Sequence, residues 1–228
     1  MKTTVQRGTA LEYLTVYPDD FVKGRPYPLI LCLHGFGANM HDLADLAPLI
    51  SSTGYVYVYV FPNGPVAAVD EPKMRAWHER GGNESQGAVR EALDALDGLV
   101  KEVTARFNVG PGRSLLLGFS QGGAMALRYG LPRPDLFAGI AVLSGSLRRV
   151  EDLQANLPRD RKQTIFIAHG EFDSLVLVEW SERLVEFLEE QGYHPVYKTY
   201  SIDHEISPDE VRDLREWVKK VLPVGSSE

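Results

Sequence analysis

The stretch LLLGFSQGG, residues 115–123, places a serine between glycines directly after an apolar run. Its core, Gly118 to Gly122, matches the pattern G-x-S-x-G, in which a strand turns sharply into a helix. Such a turn forces its central residue, here Ser120, into a strained backbone conformation and leaves no room for side chains two positions away. The pattern predicts a strand, a helix that follows it, and a serine hydroxyl exposed above a sheet. A plain strand–helix turn is the alternative.

Short apolar runs alternate with helical patterns along the whole chain. Several runs are apolar on both faces, as strands of a parallel sheet covered by helices are. The helical patterns place apolar residues at three- and four-residue steps. This alternation predicts an α/β protein with a mostly parallel central sheet of about seven strands flanked by helices. The predicted strands span residues 11–17, 28–33, 55–61, 114–119, 139–144, 164–168 and 196–201.

The composition is that of an ordinary globular protein. The chain has 228 residues, 44% of them hydrophobic, and a formal net charge of -7. This charge gives no electrostatic reason to bind nucleic acid or an anionic membrane, and no apolar run approaches the length of a membrane span. The single cysteine, Cys32, excludes an internal disulfide. We expect one domain over residues 1–222, a flexible tail over residues 223–228, and a cytoplasmic location, because the N-terminus has no apolar signal segment.

Ser120 needs a base if its hydroxyl is to act as a nucleophile. The chain offers six histidines: His34, His41, His78, His169, His194 and His204. In the fold that has this elbow, the order along the chain is serine, acid, histidine, which leaves His194 and His204. His194 precedes the last predicted strand and His204 follows it, so about 20 Å separates the two positions. Because Ser120 also follows its strand, His204 is the predicted base.

The acid that orients the histidine is expected in residues 169–173, HGEFD, which follow another predicted strand. Glu171 and Asp173 are both candidates. Either carboxylate could accept a hydrogen bond from the imidazole, fix its tautomer and stabilise the imidazolium. The spacing does not choose between them. Asp203 is next to the predicted base in the chain, but adjacent side chains diverge, so we interpret it as a loop acid.

A second turn, residues 34–37 with the sequence HGFG, also follows a predicted strand. An H-G-x-G turn at this place supplies one backbone N–H to a developing oxyanion, and the residue after the nucleophile, here Gln121, supplies the other. His34 then fits a buried hydrogen-bonding residue better than a base.

Two other kinds of site are excluded, each by a single residue. Gly35 and Gly37 begin a dinucleotide-binding fingerprint, but Met40 stands where the third glycine is needed. His204 and the glutamate after it begin the zinc-binding pattern H-E-x-x-H, but Pro208 stands where the second histidine is needed. We therefore expect no cofactor and no metal.

Taken together, the segments LCLHGFG, GFSQGGAMAL, HGEFD and DHEISPDEVRDLREWV resemble the phospholipase/carboxylesterase family of α/β-hydrolases, which includes acyl-protein thioesterases and small carboxylesterases. The resemblance covers nearly the whole chain. It implies the α/β-hydrolase fold with Ser120 as nucleophile, Asp173 as acid and His204 as base. It also implies an oxyanion hole formed by the N–H groups of Phe36 and Gln121, often in a homodimer.

The expected substrate is a small-molecule ester. The stretches at residues 62–83 and 146–163 are too short for a large cap domain, so we expect an open site. An open apolar groove suits short- to medium-chain acyl groups. Trp77 and Val176 are candidates to line it, although packing is the commoner role for each residue taken singly.

The resulting prediction is a serine carboxylesterase that works through an acyl-enzyme. An acyl thioesterase or a lysophospholipase with the same triad is the alternative, and a catalytically silent binding module is a rival from another class. Arg75 and His78 are interpreted as solvated loop residues. The family usually has glycine where this chain has Asp203, and aspartate tolerates left-handed backbone geometry better than most residues, so we expect that loop to keep its shape.

Overall fold

An eight-stranded sheet forms the centre of the protein over the residues that the computed structural model describes, which are 1–51, 57–68, 73–79, 86–145 and 147–223. The strands of this sheet are β1 (Lys2–Arg7), β2 (Glu12–Tyr17), β3 (Leu29–Leu33), β4 (Val58–Pro62), β7 (Ser114–Phe119), β8 (Phe137–Leu143), β9 (Thr164–Gly170) and β10 (Val196–Tyr200). A separate two-stranded ribbon consists of β5 (Val66–Ala67) and β6 (Arg75–Ala76). The helices are α1 (Leu46–Ile50), α2 (Gln86–Arg106), α3 (Gln121–Gly130), α4 (Val178–Glu190) and α5 (Pro208–Val221), with a 3₁₀ helix at Val150–Asn156.

The strand β7 lies in the interior of the sheet, whose order is β1-β2-β4-β3-β7-β8-β9-β10. It pairs in parallel with β3 on one side and with β8 on the other. The parallel pairing continues through β9 to β10. Because parallel strands end at the same edge, the turns after β3, β7, β9 and β10 meet along one rim of the sheet. This rim carries the predicted site.

The predicted strands are present, and one strand of the central sheet was missed. The sequence predicts about seven strands, whereas the described sheet has eight. The additional strand β1 has the sequence KTTVQR, is largely exposed, and pairs antiparallel with β2 at the edge of the sheet. A mostly polar edge strand gives no apolar run, so the pattern that revealed the others could not reveal it. In the strand predicted at residues 55–61, positions 55 and 56 lie outside the described residues.

The helices cover the sheet on two faces. One core cluster unites buried residues of α2, α3 and α4, and a second cluster unites those of α1 and α5. The apolar stripes read from the sequence point into these clusters: Leu96, Val100 and Val103 from α2, Leu184 and Leu188 from α4, and Val211, Leu214 and Val218 from α5. Each helix is therefore amphipathic for the reason expected, which is burial of one face against the sheet.

The sequence at the start of α5 matches a capping box, in which the N-cap side chain and the glutamate side chain three residues later each bond the backbone N–H of the other. The first of these two bonds is formed. Ser207 is the N-cap, Pro208 is the first helical residue, and the Ser207 hydroxyl oxygen accepts a hydrogen bond from Glu210 N at 3.1 Å. The return bond is weak: the Ser207 backbone N–H lowers the pKa of the Glu210 carboxyl, but by less than burial raises it. Glu210 is 1% exposed, and neither of its carboxylate oxygens forms a hydrogen bond of ordinary geometry with the described residues.

The buried carboxyl of Glu210 should make stability depend on pH. Burial raises its pKa from 4.5 to about 7. Between these values the folded state keeps a proton that the unfolded state releases, so the free energy of unfolding falls as pH rises and is lowest above pH 7. We expect Glu210→Gln to be more stable than the wild type at pH 8, by up to about 3 kcal/mol, and to lose most of this advantage at pH 4. Chemical denaturation at both pH values measures it.

The exposed Glu205 provides the control for this experiment, because Glu205→Gln removes the same charge from a solvated side chain three residues before the helix. A stabilisation by Glu210→Gln that is equal at pH 4 and pH 8 would contradict the prediction.

The structure bears only in part on the predicted C-terminal tail and on the expected absence of a membrane span. Residues 224–228 of the predicted tail lie outside the described residues. Among the helices that the structure describes, none combines the length and the apolar character that crossing a bilayer requires.

Candidate active site

The turn from β7 into α3 has the geometry that the G-x-S-x-G pattern predicts. Ser120 has φ 53° and ψ −119°, a conformation that L-residues rarely adopt. A Cβ on Gly118 would lie 2.1 Å from Gly122 O, and a Cβ on Gly122 would lie 2.1 Å from Leu33 O. Both glycines are therefore required by close backbone contacts, one within the turn and one with the end of β3. The sharp turn brings the serine to the rim of the sheet.

Gln121 is held in place through its side chain. It is the first residue of α3, so its backbone N–H has no acceptor within the helix. Its side-chain oxygen accepts a hydrogen bond from Trp77 N at 3.0 Å, and its side-chain nitrogen donates to His78 O at 2.9 Å. The residue that follows the serine thus fixes the segment after β6. The sequence motif predicts a role for the Gln121 backbone alone, because the side-chain contact joins residues 44 positions apart.

The turn after β3 lies directly against the serine. A Cβ on Gly35 would be 3.4 Å from the Cβ of Ser120. His34 Nε2 accepts a hydrogen bond from Gly64 N at 2.9 Å, so its proton is on Nδ1, which donates to Gly35 O at 2.7 Å. Burial lowers the pKa of His34 to about 4. This imidazole is therefore neutral and structural, as expected, and it holds the turn that contains Phe36.

Asp173, and not Glu171, contacts the predicted base. His204 Nδ1 and Asp173 Oδ2 are 2.7 Å apart, and the carboxylate is fully buried. The other oxygen of Asp173 accepts hydrogen bonds from Leu175 N at 3.0 Å and from Val176 N at 2.8 Å. The Glu171 carboxylate instead accepts from two hydroxyls of the neighbouring strand and the loop after it, Thr199 Oγ1 and Ser201 Oγ. Of the two candidates that the sequence left open, the geometry therefore favours Asp173.

His204 lies beside the elbow. Its ring centroid is 4.8 Å from that of Phe119, the residue before the serine. Its side chain is 11% exposed, so most of the imidazole is enclosed while one part reaches the surface. His194 precedes β10 and His204 follows it, so the two histidines are at opposite ends of this strand. The structure thus brings Ser120, Asp173 and His204 to one rim and leaves His194 away from it.

His169 is a supporting residue that the sequence analysis did not single out. It is 0% exposed, donates a hydrogen bond from Nε2 to Val176 O at 2.7 Å, and approaches Asp173 Oδ2 at 3.4 Å through the same nitrogen. Burial lowers its pKa, so the ring is neutral. It fixes the backbone that surrounds the acid. Its position at the end of β9 was visible in the sequence, but its contact with the loop was not.

The segment after β5 differs from the sequence interpretation. Trp77 is 0% exposed, and its indole N–H donates to His34 O at 2.9 Å, so in this structure it packs behind the turn rather than lining an open groove. Arg75 and His78 were interpreted as solvated, which is wrong. Arg75 donates to Gly64 O and to Pro65 O, and His78 is 4% exposed. Val176 is half-buried and remains a candidate for contact with substrate.

The described residues offer no cluster of three or more His, Cys, Asp or Glu side chains that could hold a metal ion. The chemistry available at the rim is that of a serine, an imidazole, a carboxylate and backbone N–H groups. This set is the one that acyl transfer uses.

Comparison with known proteins identifies the family of this chain. The chain matches the family described as Phospholipase/Carboxylesterase over residues 22–222. It is 30% identical over 240 residues to acyl-protein thioesterase 1 of Mycosarcoma maydis, and the alignment covers 94% of this chain and 99% of that relative. It is 28% identical over 211 residues to carboxylesterase SOBER1 of Arabidopsis thaliana, and this alignment covers 87% of this chain and 92% of that relative.

A solved structure supports the same fold. The crystal structure of esterase PE8 superimposes with a TM-score of 0.81 and 24% identity, covering 94% of this chain and all of that one. The predicted family and fold are therefore confirmed: this chain belongs to the phospholipase/carboxylesterase family and is a hydrolase with the α/β-hydrolase fold.

Proposed function

We propose that this protein is a serine carboxylesterase that hydrolyses short- to medium-chain acyl esters through an acyl-enzyme. Ser120 is the nucleophile, His204 the general base and acid, and Asp173 the carboxylate that orients the histidine. The backbone N–H groups of Phe36 and Gln121 form the oxyanion hole.

The hydrogen bond between His204 Nδ1 and Asp173 Oδ2 at 2.7 Å carries this proposal. Two backbone N–H groups donate to Asp173 Oδ1 and so stabilise the ionised carboxylate, which places the shared proton on Nδ1 of the imidazole. The neutral ring then has its lone pair on Nε2, which is the form that can take a proton from a serine hydroxyl. The contact of the ring with Phe119 supports the approach of that nitrogen to Ser120.

The reaction then follows in two halves. Ser120 Oγ attacks the ester carbonyl carbon while His204 Nε2 takes its proton, and the imidazolium gives this proton to the leaving alcohol as the carbon–oxygen bond breaks. Water attacks the acyl-serine in the same way and releases the carboxylic acid and the free hydroxyl. Asp173 stabilises the imidazolium in both halves without taking its proton.

The oxyanion is stabilised by groups that need no rearrangement. Gln121 N–H is at the start of α3, where the helix dipole also favours negative charge. The turn with Phe36 is fixed from behind by His34 and from the side by the bond from Gly37 N to Arg75 O at 2.9 Å. Donors held rigidly in this way stabilise the transition state more than solvent does.

The surface next to the acid favours an apolar acyl group. Phe172 precedes Asp173 directly and is 68% exposed; Leu175 and Leu177, two and four residues after Asp173, are 64% and 49% exposed. Exposed apolar side chains this close to a catalytic rim are costly unless something covers them. Val176, held by its N–H to Asp173, is our candidate for direct contact with the acyl chain.

An acyl thioesterase is the second candidate. The Mycosarcoma maydis relative is named acyl-protein thioesterase 1, and the same triad cleaves a thioester by the same two halves. A lysophospholipase would also use this chemistry.

Rates with matched substrates distinguish these candidates. We expect kcat/KM for nitrophenyl esters to peak between butyrate and octanoate and to be at least about tenfold lower for palmitate, because each added methylene gains or loses only a limited binding energy. Acyl thioesters of the same chain lengths and a lysophosphatidylcholine serve as comparison substrates. A maximum with a palmitoyl thioester would favour the thioesterase, and no turnover of any of them would refute the proposal.

The cytoplasmic location and the homodimer stay predictions from the sequence and from the resemblance to the family.

A further inference from the structure

Asp203 belongs to the loop that carries the histidine, and its side chain reaches the loop that carries the acid. We call residues 171–176, after β9, the acid loop, and residues 201–206, after β10, the histidine loop. Asp203 Oδ1 accepts hydrogen bonds from Ser174 N at 2.8 Å and from Ser174 Oγ at 3.0 Å. The same oxygen accepts from His204 N at 2.8 Å. One carboxylate oxygen therefore joins the residue after Asp173 to the backbone of the proposed base.

The loops have few other connections near the triad. The backbone pairing of β9 with β10 continues through the bonds from Glu171 N to Tyr200 O and from Phe172 N to Ile202 O. Beyond Phe172, the hydrogen bonds between the two loops that the structure describes are those from Ser174 to the Asp203 carboxylate and the Asp173–His204 bond itself. After the last backbone hydrogen bond between the two strands and their loops, the Asp203 carboxylate provides the next connection.

The last three backbone N–H groups of the acid loop, at residues 174–176, donate to two carboxylates. Leu175 N and Val176 N donate to Asp173, whereas Ser174 N donates to Asp203. Removal of the Asp203 carboxylate would leave the N–H groups of Ser174 and His204 without this acceptor. Ser174 follows Asp173 in the chain, and His204 is part of the proposed triad. Loss of these two bonds would therefore loosen the Asp173–His204 contact.

We propose that Asp203 is a positioning residue, whose carboxylate ties the acid loop to the histidine loop and so keeps His204 Nδ1 in hydrogen-bond reach of Asp173. This role rests on the proposed function of the triad and extends it. It also replaces the interpretation of Asp203 as a plain loop acid. The backbone of Asp203 needs no left-handed conformation, because the positive φ values of described non-glycine residues belong to Asn108, Ser120 and Ser144.

Asp203 acts through the positions of its acceptor oxygens more than through its charge. The side chain is exposed, so solvent screens its charge. Hydrogen bonds from Ser174 N, and next from His204 N, lower the pKa of its carboxyl, so the acceptors stay available in neutral solution. An asparagine keeps one acceptor oxygen in the same place and removes the charge. This difference makes the proposal testable with two variants.

We expect Asp203→Ala to lower kcat for the preferred ester about 10- to 100-fold with little change in KM, because a small displacement of a catalytic group is enough for such a loss. Asp203→Asn should keep kcat within about threefold of the wild type, because the acceptor is retained. Glu205→Gln and Glu205→Ala are the controls, since they alter an exposed acid on the other side of His204, and they should leave kcat unchanged.

A double-variant cycle tests whether Ser174 is the partner. Ser174→Ala removes only the hydroxyl bonds to Asp203 and keeps the N–H, so a smaller loss is expected. When both changes are combined, the loss should equal that of Asp203→Ala alone. Additive losses, an Asp203→Ala variant within twofold of the wild type, or an Asp203→Asn variant as impaired as Asp203→Ala would each overturn the proposal.

A spectroscopic measurement separates this proposal from the proposed function. The Nδ1 proton of His204, shared with Asp173, should give a low-field proton resonance in the wild-type protein, in Asp203→Asn and in Glu205→Gln. In Asp203→Ala, with the thermal midpoint checked to confirm folding, this resonance should broaden or disappear. If the wild type turned over no ester or thioester, the proposed function would fail, whereas an unchanged resonance in Asp203→Ala would refute the positioning role alone.

Discussion

Ser120→Ala is expected to lower kcat/KM for every ester and thioester tested by at least about 10⁵-fold, because both halves of the proposed reaction pass through the serine oxygen. The fold should remain intact, since alanine removes one atom from a side chain that is 6% exposed and whose backbone is held by Ser120 N to Leu143 O at 2.9 Å. Turnover of the preferred nitrophenyl ester, with thermal unfolding beside it, measures both expectations.

Ser144→Ala is the matched control for this change. Ser144 is also a buried serine with positive φ, 45°, directly after β8, the strand next to β7. The substitution removes the same atom from the same kind of backbone, so it should leave the rate close to that of the wild type. A fluorophosphonate probe should label the wild type and Ser144→Ala and not Ser120→Ala. Residual activity above about 1% in Ser120→Ala would contradict the role of the serine.

Asp173→Asn is expected to lower kcat about 10⁴-fold with little effect on KM. The oxygen that accepts from Leu175 N and Val176 N must remain an oxygen, so the new amide nitrogen would face His204 Nδ1. Two donors cannot share one bond, and the imidazole would move its proton to Nε2, the nitrogen that has to accept the serine proton. The substitution should therefore produce the wrong tautomer in a folded protein.

Glu171→Gln is the control for Asp173→Asn. It makes the same chemical change two residues earlier, at a carboxylate that bonds Thr199 and Ser201 and does not contact the histidine. Its kcat should stay near that of the wild type. If Glu171→Gln were the more damaging of the two, the assignment of the acid would be wrong.

The elbow and its edge of the sheet could be predicted because their causes are local. The glycines of G-x-S-x-G are required by contacts that recur wherever a strand turns straight into a helix, and the structure has them at Gly118 and Gly122. The choice of His204 over His194 followed from strand direction alone, and the chain order of the strands supports it. Such features depend on pattern and topology, which one sequence contains.

The remaining features depend on contacts between distant segments. Glu171 and Asp173 are equivalent in spacing, and only the loop conformation, with two N–H groups directed at Asp173, distinguishes them. Trp77 is apolar and near the site in the chain, but whether it lines a groove or packs behind a turn depends on Gln121, 44 residues away. The bond from Ser174 to Asp203 spans 29 residues and leaves no local signature.

The backbone of Ser120 has one further consequence. A non-glycine residue held at φ 53° and ψ −119° raises the free energy of the native state by about 1 to 3 kcal/mol. This backbone strain is present in every folded molecule, whether or not substrate is bound. A glycine there would relieve it. The chain thus keeps, at the rim of its sheet, a residue that selection for thermal stability alone would replace.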